Sequence, residues 1–313
     1  MKRTIRIGTR GSQLALYQAE KVKATIQQIF PDLQVELEII KTKGDKILDV
    51  ALSKIGDKGL FTKEIENALI DRTVDLAVHS LKDLPTTLPD GLKLGAVLER
   101  GEFRDAIASV TGKTLSNLKA GDVIATSSLR RIAGLLKIND KIIIRDIRGN
   151  VNSRLKKMEE GYCDAMIMAA AGLQRLGFEK YITEIIDPEM ILPAVSQGAI
   201  AIETRIGDAE IEAIMTKLNH TETWEAVVAE RKFLAELQGG CQVPLGCFSE
   251  IDNDKLTLHG FVASVDGKQY IRESISGELK DGALLGMKLA EKMQEKGATE
   301  ILNKIKSGNQ PTN

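Results

Sequence analysis

The sequence has little of what several classes of protein require. Its three cysteines, an odd number in a chain of 313 residues, argue against a disulfide framework and fit a reducing cytoplasm. Aromatic residues make up 4% of the chain, too few for a platform on which nucleic-acid bases would stack. There is no apolar run of about 18 residues, and Met1-Lys2-Arg3 leads directly into a strand-like stretch. Neither a membrane span nor a secretory signal is therefore expected.

The overall charge excludes another class. The chain has 43 Lys and Arg against 44 Asp and Glu, a net charge of -1, so it is not a globally basic nucleic-acid binder. With 43% hydrophobic and 28% charged residues, it has the composition of a soluble globular protein. Because single cores usually stop growing near ~250 to 300 residues, two or three domains are expected.

The hydrophobic pattern alternates between strand-like and helical spacing. In the first third, strand-like runs at 4–8, 35–39 and 74–78 are separated by helical patterns; a second set follows at 123–125, 142–144 and 165–168, with helices beginning near Ser128 and Val151. Recurrence about every 20 residues is typical of short βαβ units with parallel, buried strands. After Leu218 the pattern changes to helices and alternating strands. We predict two α/β domains facing a cleft and a smaller α+β domain.

The arginines are unevenly distributed. Of 15, six lie between positions 130 and 175, and only two follow Arg205. Thr126-Ser127-Ser128 follows a predicted strand and opens a helix, so its hydroxyls and free N–H groups suit an anion, with Arg130 and Arg131 one turn later. Arg148-Gly149-Asn150 repeats this placement. Guanidinium grips planar carboxylates in a bidentate manner, which favours a ligand with many carboxylates. Ordinary surface ion pairs explain the cluster about equally well from composition alone.

A carboxylate and a lysine follow the predicted strand at 74–78. Asp83 and Lys82 lie in the loop after this strand, where burial and a cationic neighbour pull a carboxyl pKa in opposite directions and allow acid/base chemistry. On this pattern alone, a turn cap is the favoured role of Asp83. His79 is expected to be a packed, hydrogen-bonded residue at the strand end.

A glycine-rich loop surrounds one cysteine. Gly239-Gly240-Cys241 is followed by Pro244, so the loop is stiffened and presents the thiol without crowding from neighbouring Cβ atoms. Such a thiol is a candidate nucleophile or attachment point, with a structural cysteine as the alternative. A zinc site is not expected because neither a Cys-x-x-Cys pair nor clustered histidines are present, and no other metal is predicted. Cys163, at the head of an apolar run, is expected to lie in the core.

Several unusual strings then coincide in one order along the chain. They are Gly8-Thr9-Arg10-Gly11-Ser12, Lys58-Gly59-Leu60-Phe61, Ala77-Val78-His79-Ser80-Leu81-Lys82-Asp83, Thr126-Ser127-Ser128-Leu129-Arg130-Arg131, Arg148-Gly149-Asn150-Val151, Ala170-Ala171-Gly172-Leu173-Gln174-Arg175-Leu176, Pro193-Ala194-Val195-Ser196-Gln197-Gly198 and Gly239-Gly240-Cys241-Gln242-Val243-Pro244. With them the whole chain resembles the hydroxymethylbilane synthases, also called the porphobilinogen deaminase family. Each string alone is weak, but the set is highly specific.

The resemblance implies a fold and an activity. It implies two periplasmic-binding-protein-like α/β domains around a cleft and a smaller α+β domain with the cofactor cysteine. The expected boundaries are 1–99 with 200–217, 100–199 and 218–313. The family condenses four porphobilinogen molecules into a linear tetrapyrrole, with loss of four ammonia, on a dipyrromethane cofactor held by a thioether to the cysteine matching Cys241. The resemblance further implies a cytoplasmic enzyme, expected to be a monomer, with no nucleic-acid or membrane partner.

The resemblance also assigns roles to residues. Asp83 matches the carboxylate that stabilises the cationic pyrrole left when ammonia departs and handles its protons. Positions that contact the cofactor are matched by Ser80, Lys82, Asp83, Thr126, Ser128, Arg130, Arg131 and Arg154. Positions near the incoming ring or growing chain are matched by Arg10, Ser12, Phe61, Arg148, Arg154, Arg175 and Gln197. Phe61 and the segment 43–58 look like the family's mobile covering loop.

Two departures and two alternatives accompany the resemblance. Ser196 stands where Gly or Cys is expected in many members, and Cys247 follows Cys241 by six residues, which leaves the attachment site to be tested. A noncatalytic anion-binding protein of the periplasmic-binding type would use the same arginines but would not need a presented Cys241. An RNA-binding protein would predict affinity that falls steeply with salt, and the few aromatics and balanced charge count against it.

Overall fold

The computed structural model describes residues 4–46, 59–240 and 243–308. The strands are β1 (Thr4–Thr9), β2 (Gln34–Ile39), β3 (Leu76–Ser80), β4 (Leu92–Val97), β5 (Asp105–Ala108), β6 (Val123–Ala125), β7 (Ile143–Arg145), β8 (Ala165–Ala169), β9 (Ile182–Ile185), β10 (Ile200–Arg205), β11 (Leu245–Asp252), β12 (Lys255–Ala263) and β13 (Tyr270–Glu278). The helices are α1 (Gln13–Ile29), α2 (Lys43–Lys46), α3 (Lys63–Ile70), α4 (Leu129–Ile138), α5 (Val151–Glu159), α6 (Ala170–Gln174), α7 (Ala209–Leu218), α8 (Thr221–Glu236), α9 (Gly282–Glu295) and α10 (Ala298–Lys306).

The chain divides into two compact units. Among the described residues, the first comprises 4–46, 59–101 and 198–224, and the second comprises 102–197, 225–240 and 243–308. No helix in the described part of the chain is long and apolar enough to cross a membrane.

The first unit is built on a five-stranded sheet in the order β2-β1-β3-β10-β4. β1 runs parallel to β2 and β3, whereas β10 runs antiparallel to β3 and β4. Side chains alternate between the two faces of a strand: Leu76 and Val78 pack with α1 and α7, and Ala77 packs with Ile65 and Leu69 of α3. Both faces of β3 are thereby buried, and its carboxyl end carries the turn that contains Asp83.

The second unit contains two sheets. The five-stranded one has the order β7-β6-β8-β5-β9, in which β6 is parallel to β7 and β8 and β5 is antiparallel to β8 and β9. Helices α4 and α5 begin just beyond the carboxyl ends of β6 and β7. The other sheet is antiparallel, in the order β11-β12-β13, and buries Phe233 of α8 with Leu258 and Leu289.

The predicted fold class, α/β with a smaller α+β part at the C-terminus, is confirmed. The strands predicted to be parallel are present as β1 to β3 and β6 to β8. The hydrophobic pattern did not predict β5 and β10, and both are antiparallel to their neighbours. The return of the chain to the first sheet after Pro193, which the family resemblance implied, is present as β10.

Candidate active site

The predicted anion-binding turn after β6 adopts the expected local structure. Ser128 occupies the N-cap position of α4, and its hydroxyl makes no capping hydrogen bond to that helix. The buried Thr126 Oγ1 accepts a hydrogen bond from the Ser128 N–H at 3.3 Å. Ser127 Oγ donates to the Ile147 carbonyl at 2.7 Å, which ties this turn to the loop after β7. The turn is therefore held in place, and the Ser128 hydroxyl remains available to an anion.

Arg130 and Arg131 of α4 point to one buried carboxylate. Asp105, at the start of β5, is fully buried; its Oδ2 accepts from Arg130 Nη1 and its Oδ1 from Arg131 Nη2, each at 2.7 Å. Arg130 Nη1 also donates to the Leu192 carbonyl, and Arg131 Nη1 donates to the Ile167 carbonyl at 3.2 Å. These arginines are therefore not ordinary surface charges, one of the two interpretations left open by composition.

The charges of this cluster do not cancel. Burial by itself raises the pKa of Asp105, but the charges of Arg130 and Arg131 outweigh burial and hold this pKa well below its usual range. Asp105 is thus ionised, and two guanidinium groups with one carboxylate leave one positive charge. Among the described residues, none accepts a hydrogen bond from the buried Arg131 Nε. A buried charge without compensation is costly, so this cluster suits an anionic ligand.

Gln197 belongs to the same cluster. It is 1% exposed, and its Nε2 donates to Asp105 Oδ1 and to the Phe103 carbonyl, both at 2.8 Å. The resemblance had placed Gln197 near the incoming ring. The structure shows its amide nitrogen bonded within the Asp105 cluster.

The turn after β7 repeats the arrangement after β6. Asn150 is the N-cap of α5 and accepts from the Ser153 N–H at 2.9 Å. Gly149 has φ +114° and lies so close to Ser153 that a Cβ would be 2.2 Å from its Oγ. Arg154 Nε donates to the Gly149 carbonyl at 2.8 Å. The buried Nη1 of Arg148 has no hydrogen-bond acceptor in the described part of the chain, which suits a second anionic group. Arg175 is the C-cap residue of α6.

In the first unit, Asp83 ends the short 3₁₀ turn that follows β3. Its side chain is exposed, and Lys82 beside it is half-buried. The described residues supply neither an ion pair nor a turn-capping hydrogen bond for the Asp83 carboxylate. Ser80 Oγ accepts from Gln18 Nε2 at 2.8 Å. The turn-cap interpretation of Asp83 therefore has no supporting contact.

His79 is packed, as the sequence predicted. It is buried, and its Nε2 lies 3.1 Å from Oε2 of the fully buried Glu203. The His79 ring is therefore engaged by Glu203 within the first unit.

Arg10 has two partners in the first unit. Its Nε lies 3.2 Å from Oδ1 of Asp45, and its guanidinium carbon lies 4.3 Å from the centroid of the Phe61 ring. Burial raises the pKa of Asp45, but hydrogen bonds from Arg10 and Thr42 outweigh it, so the net pKa is lowered. Ser12 caps α1 by accepting from the Ala15 N–H at 3.3 Å. Most of the predicted covering segment, residues 47–58, lies outside the described residues.

The three cysteines differ. Cys241 lies outside the described residues. Cys163 is buried as predicted, and burial raises the pKa of its thiol to about 11. Cys247 of β11 is fully buried in the C-terminal core, which counts against it as a presented thiol.

Two carboxylates of these clusters were missed from the sequence. Asp105 heads an otherwise apolar strand, Asp-Ala-Ile-Ala, and a charge there is a signal of a buried ion pair. Asp45 carries no such signal. The site residues fall into two groups, with Arg10, Ser12, Phe61, Ser80, Lys82 and Asp83 in the first unit and Thr126, Ser128, Arg130, Arg131, Arg148, Arg154, Arg175 and Gln197 in the second.

Comparisons with known proteins were made on the whole chain. A family model described as porphobilinogen deaminase, dipyromethane cofactor binding domain, matches residues 5–213, and one described as porphobilinogen deaminase, C-terminal domain, matches residues 224–295. A porphobilinogen deaminase from Nostoc sp. is 50% identical over 307 residues, covering 97% of this chain and 95% of the relative. One from Syntrophobacter fumaroxidans is 48% identical over 303 residues, covering 97% and 98%. A solved structure of a probable amino-acid ABC transporter extracellular-binding protein from Bacillus subtilis matches with TM-score 0.41 and 13% identity, covering 70% of this chain and 90% of that one.

Proposed function

The chain belongs to the porphobilinogen deaminase family, and from this premise we propose how its residues perform the family's reaction. The enzyme is a transferase of porphyrin and haem biosynthesis that condenses four porphobilinogen molecules into hydroxymethylbilane and releases four ammonia. Its cofactor is a dipyrromethane. A noncatalytic anion-binding protein, the alternative considered from the sequence, is not favoured by these relatives.

The second unit suits the charge of this cofactor. Each pyrrole ring brings two carboxylates, and a dipyrromethane therefore brings four. The surplus positive charge of the Asp105 cluster offers what such a ligand needs. We propose that Arg130, Arg131 and Arg154 bind its carboxylates. The hydroxyls of Thr126 and Ser128, at the N-terminus of α4, add hydrogen bonds. Ser80, Lys82 and Asp83 are proposed as the cofactor contacts of the first unit.

We propose that a thioether to Cys241 attaches the cofactor. Support comes from the other cysteines, because Cys163 and Cys247 are both buried and a two-ring group cannot reach a sulfur inside a packed core. The Gly-Gly sequence before Cys241 and Pro244 after it predict a stiffened loop that presents the thiol. The cofactor supplies the terminal pyrrole carbon that is joined to the first substrate ring.

We propose that four arginines bind the carboxylates of the incoming ring and growing chain: Arg10, Arg148, Arg154 and Arg175. The Nη1 of Arg148 is buried, and no described residue accepts a hydrogen bond from it. Arg10 already holds one carboxylate, that of Asp45. A substrate carboxylate is the same chemical group and fits the same guanidinium. Ser12, Phe61 and Gln197 are proposed to line the same substrate path, with Phe61 packed on Arg10.

Asp83 is proposed as the catalytic residue. Departure of ammonia leaves positive charge on the substrate pyrrole, and the exposed carboxylate of Asp83 stabilises that charge and accepts a hydrogen bond from the pyrrole N–H. The same oxygen atoms take up and return the protons of the coupling step. A carboxylate engaged in a turn cap would be less available, and no such contact is found among the described residues.

We further propose three domains, 1–99 with 200–217, 100–199 and 218–313, which match the three sheets. We propose a cytoplasmic location, because three cysteines, an odd number, in a chain of 313 residues fit a reducing compartment. We propose a monomer that acts on porphobilinogen alone, without nucleic-acid or membrane partners.

The direct test of the function is stoichiometry. Purified protein incubated with porphobilinogen is expected to release four ammonia for each hydroxymethylbilane. Arg130→Leu should remain folded but fail to assemble its cofactor, because it loses charge-assisted contacts worth about 1.5 to 3 kcal/mol each. Lys113→Leu, which breaks an ion pair with Asp122 elsewhere in the second unit, is the control and should turn over normally. Substrate binding without ammonia release would reject the proposal in favour of a binding protein.

A further inference from the structure

Asp105 is the common acceptor of three donor side chains, which come from two separate parts of the chain. Arg130 and Arg131 reach it from α4, and Gln197 reaches it from the segment before β10. Its own position is fixed by β5, which pairs with β8 and β9. No part of the carboxylate is exposed, so Asp105 cannot itself be a ligand-binding group.

The hydrogen bonds to Asp105 set the orientation of both guanidinium groups. Arg130 Nη1 is held by Asp105 and the Leu192 carbonyl. Arg131 is held at two nitrogens, Nη2 by Asp105 and Nη1 by the Ile167 carbonyl. Because guanidinium is planar, fixing one edge fixes the direction of the remaining N–H groups. A ligand then meets donors that need no reorganisation.

We propose that Asp105 is a positioning residue for the cofactor site: it orients Arg130 and Arg131 so that they bind the carboxylates of the dipyrromethane. The inference deepens the proposed function and depends on the proposed roles of these two arginines. Asp105 acts through them and touches neither cofactor nor substrate.

Two physical effects of Asp105 oppose each other, and the opposition makes the proposal testable. As a negative charge beside an anion site, Asp105 weakens the attraction for carboxylates. As the acceptor that orients two donors, it strengthens binding by preorganisation. Asp105→Asn changes the charge of the cluster from +1 to +2 and replaces one acceptor oxygen by an amide group that faces a guanidinium. Charge alone predicts faster cofactor uptake in this variant, whereas positioning predicts slower uptake.

The experiment compares full-length proteins made in cells without porphobilinogen. Each is incubated with porphobilinogen, and the covalent adduct is followed by intact mass. Asp105→Asn should take up cofactor about 10- to 100-fold more slowly than wild type, the range expected for loss of one charge-assisted contact. Asp122→Asn, which breaks the ion pair with Lys113 in the same unit, should match wild type. Circular dichroism and a thermal melt check that each variant is folded.

A second variant covers the case in which Asp105→Asn does not fold. Gln197→Met keeps the side-chain length and the charges and removes one donor to Asp105 Oδ1, so uptake should slow by a few-fold in folded protein. The positioning role would be overturned if folded Asp105→Asn took up cofactor at the wild-type rate or faster. If Asp105→Asn does not fold, an unchanged uptake rate in Gln197→Met would overturn it. Wild-type protein that acquires no adduct would instead reject the proposed function itself.

Discussion

Substitution of Asp45 by Asn tests whether Arg10 is shared between the protein and its substrate. Asp45 occupies the Arg10 guanidinium with a carboxylate, at 3.2 Å from Nε to Oδ1. Under the proposed function, a substrate carboxylate must displace Asp45 before it binds Arg10. Asn keeps the size of the side chain and one oxygen for the Thr42 hydroxyl, which donates to Asp45 at 2.8 Å, but removes the charge. We therefore expect Asp45→Asn to bind porphobilinogen more tightly.

The structure limits the size of the effect. The side chains of Arg10 and Asp45 are 25% and 30% exposed, so solvent screens the pair and its contribution is about 0.5 to 1 kcal/mol. KM should therefore fall by about 2- to 5-fold. The rate at saturating substrate should change little, because Asp45 takes no part in the proposed chemistry. Protein stability should fall by no more than the same 0.5 to 1 kcal/mol.

Steady-state ammonia release at varied porphobilinogen concentration measures both quantities. Glu212→Gln is the matched control, since Glu212 forms a comparably exposed ion pair with Lys93 in the first unit and has no proposed role; its KM should not change. An unchanged or raised KM in folded Asp45→Asn would refute the exchange of carboxylates on Arg10.

Three further predictions follow from the site and the core. Asp83→Asn should lower turnover by about 10² to 10⁴-fold with an unchanged thermal melt, since Asp83 is exposed; near-wild-type turnover would remove it from the chemistry. Arg148→Leu should show the cofactor adduct by intact mass but no ammonia release with porphobilinogen; normal release would contradict its role. Burial raises the pKa of Cys163 from 9.0 to about 11, so its contribution to stability is complete below pH ~9 and is lost as pH rises through ~11, at most about 2 to 3 kcal/mol. Urea titrations should show a smaller loss over this interval in Cys163→Ala; identical slopes would contradict it.

Local patterns in the sequence predicted the elements that carry the site. The apolar run 123–125 followed by Thr126-Ser127-Ser128 predicted a strand and a helix start, and the structure has β6 and α4 there. The hydrophobic periodicity depends only on residues that are close in sequence. It therefore predicts where strands and helices lie, but not which strands pair with each other. Ile200–Arg205 pairs antiparallel with a strand more than a hundred residues earlier, and no local pattern specifies that partner.

The same distinction applies to the site. The family resemblance, and not their place at a helix start, assigned Arg130 and Arg131 to the cofactor site. Their shared acceptor, Asp105, lies 25 and 26 residues earlier, and only the fold brings it beneath them. The composition left surface ion pairs and a binding site as equal interpretations of the arginine cluster. Both arginines are buried in the structure, and this burial excludes the interpretation that they form surface ion pairs.

We propose that this chain carries a covalent dipyrromethane on Cys241 and builds a tetrapyrrole on it. Intact mass of protein purified from cells with active tetrapyrrole synthesis tests this most directly. Wild type and Cys247→Ser should each carry an added mass equal to two pyrrole units, and Cys241→Ser should carry none. An unmodified wild type, or an adduct that persists in Cys241→Ser, would contradict the claim.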